Sequence, residues 1–299
     1  MAVIFRTCNP EPRFGDDYEK LRDFLIKLDS HNYHFGRWDW MITHSMLEPN
    51  GLSKIGFWED NGVLVAAATY DCVLGKAYLL TLNDYAYLKE EMLLYAQEAL
   101  AKDGKFSVLV LDGDLNMQDI AVRHGYYATQ DREGDAVFPI NPDTINYTLP
   151  AGFSITSLRE SYDLYKYGQV LWKGFNHEAN NEGPFVFKDE ELPEWELRFK
   201  RPHVNLDLKI AVVAPNGDFV SYCGMWQDDR SQSALVEPVA TDPAYRKMGL
   251  GRAAVLEAIL RCGRLGARRA IVGSSQQFYY SIGFQPYATS SFWERKSSR

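Results

Sequence analysis

Two apolar stretches, each broken at its middle by a polar Asn-Gly pair, set the frame of this chain. Residues 55–70 read Ile-Gly-Phe-Trp-Glu-Asp-Asn-Gly-Val-Leu-Val-Ala-Ala-Ala-Thr-Tyr, and residues 209–226 read Lys-Ile-Ala-Val-Val-Ala-Pro-Asn-Gly-Asp-Phe-Val-Ser-Tyr-Cys-Gly-Met-Trp. Asn-Gly is a strong hairpin turn signal, so each stretch predicts two antiparallel strands. The turn glycines Gly62 and Gly217 lie 155 positions apart, and Gly125 and Gly283 lie 158 apart. So steady an offset predicts two homologous units in tandem. Each unit reads as helices, a hairpin, a strand, a long helix, a strand, a short helix and a last strand, which is mixed α/β around a mostly antiparallel sheet. Between them, residues 139–152 carry three prolines and turn formers without helical periodicity, an extended linker that puts the boundary near 145. The expected domains are therefore 1–145 and 146–299.

The pattern changes after residue 241. Residues 234–241 (Ala-Leu-Val-Glu-Pro-Val-Ala-Thr) read as a strand interrupted by Pro238, which is tolerated at an edge or a bulge. A helix follows from near Leu250, with Val255, Ile259, Cys262 and Leu265 as its core stripe and Gly266 as its C-terminal stop. Between strand and helix, Gly249 and Gly251 remove side chains that would keep a ligand off the backbone. Amides at the helix start can then face an anion, with the helix dipole behind them. Arg246 and Arg252 flank the turn where a diphosphate needs cations. Gly249-x-Gly251-x-x-Ala254 also fits a dinucleotide-binding fingerprint. That reading fails, because the chain has no room for further βαβ units and residues 264–272 carry arginines where an acid is needed.

Composition narrows the class. At 46% hydrophobic and 14% aromatic, 299 residues supply two ordinary cores. Four scattered cysteines form no Cys-x-x-Cys pair and suit a reducing compartment. The N-terminus does not read as a signal peptide and no apolar run reaches membrane-spanning length, so a cytoplasmic protein without membrane contact is expected. A net charge of −8 with no basic, aromatic-interleaved run argues against nucleic acid. His31, His34 and His44 sit among Tyr33, Phe35, Trp38 and Trp40, which favours an aromatic packing segment over a metal site; no metal is expected.

The segment Arg246-x-x-Gly249-x-Gly251 matches the acyl-CoA motif of the GNAT acetyltransferase superfamily, and the chain resembles that superfamily in its element order as well. The resemblance implies two tandem GNAT-like domains and acetyl-CoA as co-substrate. It assigns the diphosphate turn to Arg246, Lys247, Met248, Gly249, Leu250, Gly251 and Arg252. The backbones of Val239, Ala240 and Thr241 fall on the pantetheine, with the Val239 amide on the thioester oxygen. Residues 276–284 (Gln-Gln-Phe-Tyr-Tyr-Ser-Ile-Gly-Phe) match the short helix bearing a tyrosine four residues before Gly-Phe, which singles out Tyr279 over Tyr280 as the acid for the departing thiolate. Glu237, on the interrupted strand, is either the base for the amine or an anchor for a cationic substrate. In the first half, residues 81–92 have no glycine and place Glu90 and Glu91 where phosphates would sit. That domain reads as degenerate, without a CoA site.

The acceptor side falls to the polar, acidic loop 174–185, with Asn176, His177 and Glu178 as candidates for a small polar or cationic amine. The expected chemistry is direct transfer of acetyl to a primary amine, since Cys223 lies in an apolar strand and reads as packing. A non-catalytic acyl-CoA sensor or scaffold is the alternative. Monomer and homodimer both remain open.

Overall fold

The computed structural model describes residues 3–30 and 32–295. Contacts divide it into two units. Unit 1 takes the chain up to Ala136, with Gly273–Gln277 and everything from Pro286; unit 2 takes Val137–Val272 and Phe278–Gln285.

In unit 1 the order is β1 (Ile4–Thr7), α1 (Asp16–Leu28), α2 (Phe35–Met41), β2 (Gly56–Asp60), β3 (Val63–Asp71), β4 (Val73–Thr81), α3 (Lys89–Ala99), β5 (Ser107–Leu111), α4 (Leu115–Arg123) and β6 (Tyr126–Pro139). The β2–β3 hairpin turns on two residues, Asn61 and Gly62, both with positive φ, as the Asn-Gly signal requires. Helix α1 carries Asp16, Asp17 and Glu19 in its first turn, where they complement the helix dipole. It buries Tyr18, Leu21 and Leu25 at helical spacing. The core it covers also holds Trp38, Phe57, Trp58 and Tyr70.

The second half of the chain repeats that order element for element: β7 (Ser154–Ser157), α5 (Leu164–Gly174), α6 (Leu192–Lys200), β8 (Lys209–Val213), β9 (Phe219–Trp226), β10 (Ser233–Thr241), α7 (Leu250–Arg264), β11 (Arg269–Val272), α8 (Gln277–Ser281) and β12 (Gln285–Arg295). The fold is mixed α/β with mixed sheets flanked by helices. Strands run β1-β2-β3-β4-β5-β12-β6 in unit 1 and β11-β10-β9-β8-β7 in unit 2. The β4–β5 and β10–β11 pairs are parallel and short, ending at Tyr78↔Leu109 and Leu235↔Ile271. Beyond those residues β4 and β10 run on without their parallel neighbours.

Several expectations change. A single cut near 145 gives way to a division at 136/137 in which the last strand returns to unit 1. The reason is pairing: β12 lies antiparallel to β5 from Ser290↔Leu111 to Glu294↔Ser107, which buries Phe292 there. Residues 140–152 form no helix or strand, turn at 142–144, and are packed on unit 2. Tyr147 donates a hydrogen bond to Glu257 Oε2 at 2.7 Å, and Ile140 lies so close to α7 that a Cβ on Gly263 would meet its Cγ2 at 2.6 Å. The opening strands β1 and β7 have only four residues each and carry no clear apolar signature. In α7, Val255, Ile259 and Cys262 are buried as predicted, whereas Leu265 is exposed because the helix has already ended at Arg264. No described helix is long and apolar enough to cross a membrane.

Candidate active site

The site begins with a fault in β10. Its antiparallel register with β9 runs Leu235↔Trp226 and Val236↔Met225, then resumes at Val239↔Cys223, so Glu237 and Pro238 bulge out of the ladder. Proline has no N–H to give a neighbour, which is why the ladder breaks here. The Glu237–Pro238 peptide is cis. Facing it is Gly224, where a Cβ would lie 2.6 Å from the Glu237 carbonyl oxygen; only glycine lets the bulged peptide approach. Trp226 Nε1 donates to that same oxygen at 2.9 Å and fixes the bulge. The Glu237 side chain and Val239 are half-buried, and Ala240 is buried.

The turn after β10 is held by side chains. Ser221 Oγ and Thr241 Oγ1 share a hydrogen bond of 2.9 Å, and Asp242 Oδ1 accepts from the Ala244 amide. Lys247 and Gly249 both take positive φ, and α7 starts at Leu250 with no side-chain cap. Among the described residues the amides of 247–252 have no hydrogen-bond partner, Ala253 being the first whose N–H closes onto the helix, at Gly249 O. Such a row at the start of a 15-residue helix is built to receive an anion. Gly251 is packed hard from two sides: a Cβ there would come within 3.0 Å of Thr241 Oγ1 and 3.4 Å of Phe278 Cζ. The end of β10, the start of α7 and α8 therefore meet at one residue.

Tyr279, next to Phe278 on α8, is 8% exposed, whereas Tyr280 is half-buried. The Tyr279 ring packs against Phe278 and Phe284 at 5.1 and 5.4 Å, and its hydroxyl has no hydrogen-bond partner among the described residues. Burial, then Cys223 and Glu237, push this phenol well above its ordinary pKa. Those two neighbours place it beside the bulge. Cys223 is fully buried and its thiol is pushed up by the same desolvation.

Arg246 has partners within the protein. Its Nε donates to Thr241 O at 3.2 Å, and its Nη2 donates to Gly174 O and Asn176 Oδ1 at 2.8 and 2.9 Å. It ties the turn to the end of α5 and occupies Asn176 in doing so. Lys247 and Arg252 are exposed and, among the described residues, unpaired, so they are the cations left at the turn; Met248 and Gly249 are exposed and Leu250 is buried. His177 stacks on Trp172 at 4.1 Å and pairs with Glu182 at 2.9 Å, which folds loop 176–183 onto itself. Glu178 lines a polar cleft of about 490 Å³ with Lys173, Asp218, Asp242 and Tyr245. That cleft contains neither Tyr279 nor the unpartnered amides. Sequence reading missed Gly224, Trp226 and Ser221 as supports; a glycine inside a strand was the available signal for the first.

The histidines are packing groups where they are described. His34 caps α2 through Nδ1 to the Gly36 amide, and His44 stacks on Trp40 at 4.0 Å. His31 lies outside the described residues. No metal-binding group of three or more such side chains occurs among the described residues.

Comparison with known proteins bears on the second half. Residues 172–284 match the acetyltransferase (GNAT) family. That segment is thus similar to a GNAT acetyltransferase domain. No curated protein matches the sequence. Among solved structures, a GCN5-related N-acetyltransferase from Sphaerobacter thermophilus is similar at TM-score 0.55 and 14% identity, covering 98% of this chain and 95% of that one. A tandem GNAT protein from the clavulanic acid biosynthesis pathway matches at TM-score 0.53 and 12% identity over the whole of both chains. N-myristoyltransferase from Saccharomyces cerevisiae matches at 0.54 and 13%, over 98% of this chain and 81% of that one. At such identities the likeness is one of fold, and it extends to the two-unit arrangement around the GNAT domain.

Proposed function

We propose that unit 2 moves an acetyl group from the CoA thioester to a primary amine of a small polar or cationic molecule, by direct attack. One observation carries this reading. The unpartnered amides of 247–252 include Gly251, which packs against Thr241 of the strand that carries the Glu237–Pro238 bulge and against Phe278, the neighbour of the buried Tyr279.

The amides of Gly249 to Arg252 receive the diphosphate, with Lys247 and Arg252 as its cations. The bulge leaves the backbone of Val239, Ala240 and Thr241 to run beside the pantetheine, and the Val239 amide polarises the thioester carbonyl. An alkylamine is mostly protonated near neutral pH, so Glu237 takes its proton, directly or through water, before nitrogen attacks. The C–N bond forms, the C–S bond breaks, and Tyr279 gives its proton to the leaving sulfur. A desolvated phenol is a neutral donor at working pH, and the same desolvation raises the basicity of a thiolate formed beside it. Cys223, buried and held as the thiol, offers no nucleophile, which supports transfer without a covalent enzyme intermediate.

Unit 1 serves as a companion domain without a CoA site in this reading. Its β3–β4 ladder runs without a shift from Ala66↔Thr81 to Tyr70↔Ala77. At the start of α3, Glu90 pairs with His124 at 2.6 Å and Glu91 accepts from Trp58 Nε1 at 2.8 Å. Two carboxylates there repel a diphosphate.

The test is CoA release from acetyl-CoA against a panel of aminoglycosides, polyamines, amino sugars and amino acids. Turnover with one of them supports the reading. Tight acetyl-CoA binding without turnover on any amine or peptide would instead make unit 2 an acyl-CoA sensor.

A further inference from the structure

Helix α6 brings to the bulge an arginine that the transfer steps leave unused. Tyr222, Gly224 and Trp226 alternate along β9 and so share one face of it. That face receives the bulge: a Cβ on Gly224 would point at the Glu237 carbonyl oxygen, 2.6 Å away, and Trp226 Nε1 donates to the same oxygen. It also receives α5 and α6. Tyr167 of α5 packs on Tyr222 at 5.0 Å and on Trp195 and Phe199 of α6 at 6.0 and 4.9 Å. Arg201, just beyond α6, lies over the Trp226 ring at 4.9 Å. Arg198 stands between these two supports. Its guanidinium stacks on Trp195 at 4.6 Å, and its carbonyl oxygen accepts from Arg201 Nε at 3.3 Å.

Arg198 is half-buried, and its Nε is buried without a hydrogen-bond partner. Among the described residues its guanidinium makes no ion pair either. Stacking engages the flat face of a guanidinium and none of its N–H groups. Buried donors are ordinarily bonded, and a charged one left without an acceptor costs the desolvation of the group. The position of this cation relative to the bulge is also felt at Tyr167. After burial, Arg198 has the largest influence on that phenol, followed by Glu237 and then Arg201.

We propose that Arg198 binds a carboxylate of the acceptor, so that the amine acetylated in unit 2 belongs to an amino acid or another small carboxylated amine. This rests on the reading of unit 2 as an acetyltransferase and narrows it. The planar fork of a guanidinium meets a carboxylate in two parallel hydrogen bonds, and the Nε that lacks an acceptor supplies one of them. With the anion held there, the amine end of a short acceptor extends toward the bulge. The aromatic surroundings suit a singly charged, planar carboxylate better than a phosphate dianion, whose desolvation costs more.

Acetyl transfer by the full chain to matched acceptors tests it: amino acids against their carboxamides, 4-aminobutyrate against 4-aminobutanamide, and, as the phosphate arm, glucosamine 6-phosphate against glucosamine. The amine of an amino acid amide sheds its proton more readily than that of the acid, so a slower amide reports the lost anion. For the preferred pair, kcat/KM is expected to be roughly 10- to 100-fold higher for the carboxylate, mostly through KM. Arg198→Gln should bring that ratio close to one. Arg198→Lys, which keeps the charge without the fork, should leave it in between. Acetyl-CoA binding by each variant verifies its fold, and the wild-type ratio decides even where a variant does not fold. Equal turnover of acid and amide, a preference confined to the phosphorylated sugar, or a carboxylate preference that survives Arg198→Gln would each overturn the proposal while leaving acetyl transfer intact. Absence of turnover on every amine would overturn both.

Discussion

Tyr279 and Glu133 are opposite uses of the same physical effect. Around Tyr279, desolvation favours the neutral phenol, which in the proposed mechanism has its proton in place when a thiolate leaves. Tyr279→Phe is therefore expected to lower kcat about 10²-fold while acetyl-CoA affinity holds, as steady-state kinetics and equilibrium binding would reveal. Full activity in Tyr279→Phe with loss in Tyr280→Phe would move the acid by one residue. Around Glu133, desolvation works against the folded state. Its pKa rises from 4.5 to about 6, so its stabilising contribution is present below about pH 4.5 and is lost as pH rises through 6. Glu133→Gln should accordingly match the wild type in urea unfolding at pH 4.5 and exceed it at pH 7.5. Equal stability of the two proteins at pH 7.5 would show that the Glu133 carboxyl is better solvated than its raised pKa implies.

At the level of elements, the turn between β10 and α7 separates jobs that its sequence runs together. Arg246 spends its Nε and Nη2 on Thr241, Gly174 and Asn176, which leaves Lys247 and Arg252 for an anion. Removing Lys247 or Arg252 should raise the Kd for acetyl-CoA several-fold each and make binding less sensitive to salt. Arg246→Ala should instead free loop 174–176 and raise the acceptor KM more than it weakens acetyl-CoA. The reverse ordering would restore Arg246 as the phosphate ligand. The two Asn-Gly hairpins, the strand containing Pro238 and the helix at Leu250 were all legible in sequence, because each rests on local rules: turn chemistry, a missing N–H, apolar spacing. The partners of Arg246 were not, because Gly174 and Asn176 lie some 70 positions away.

For the molecule as a whole, the returning strand matters most. β12 completes unit 1 beside β5, where Phe292 is 1% exposed and contributes about 2 kcal/mol by burial alone. A fragment ending at residue 145 lacks that strand. It should melt well below the full chain and associate through the bare edge of β5, as thermal unfolding and light scattering would detect. A fragment as stable as unit 1 in the full chain would argue that β12 is dispensable. Acetyl-CoA should bind once per chain by calorimetry, because only unit 2 has the glycine turn and the bulge. Two equivalents would mean that unit 1 keeps a site despite Glu90 and Glu91.

The sequence by itself determined the two-unit repeat, the mixed α/β class and the glycine turn after β10. These follow from periodicity, turn residues and motif spacing, which act over a few residues or recur at a fixed offset. Tertiary structure alone decided which unit owns the last strand, that Arg246 bonds to Gly174 and Asn176, and that Gly224 makes room for the bulge. Each depends on groups brought together from distant parts of the chain. Burial and pairing between such groups are properties of the folded arrangement, and no local pattern encodes them.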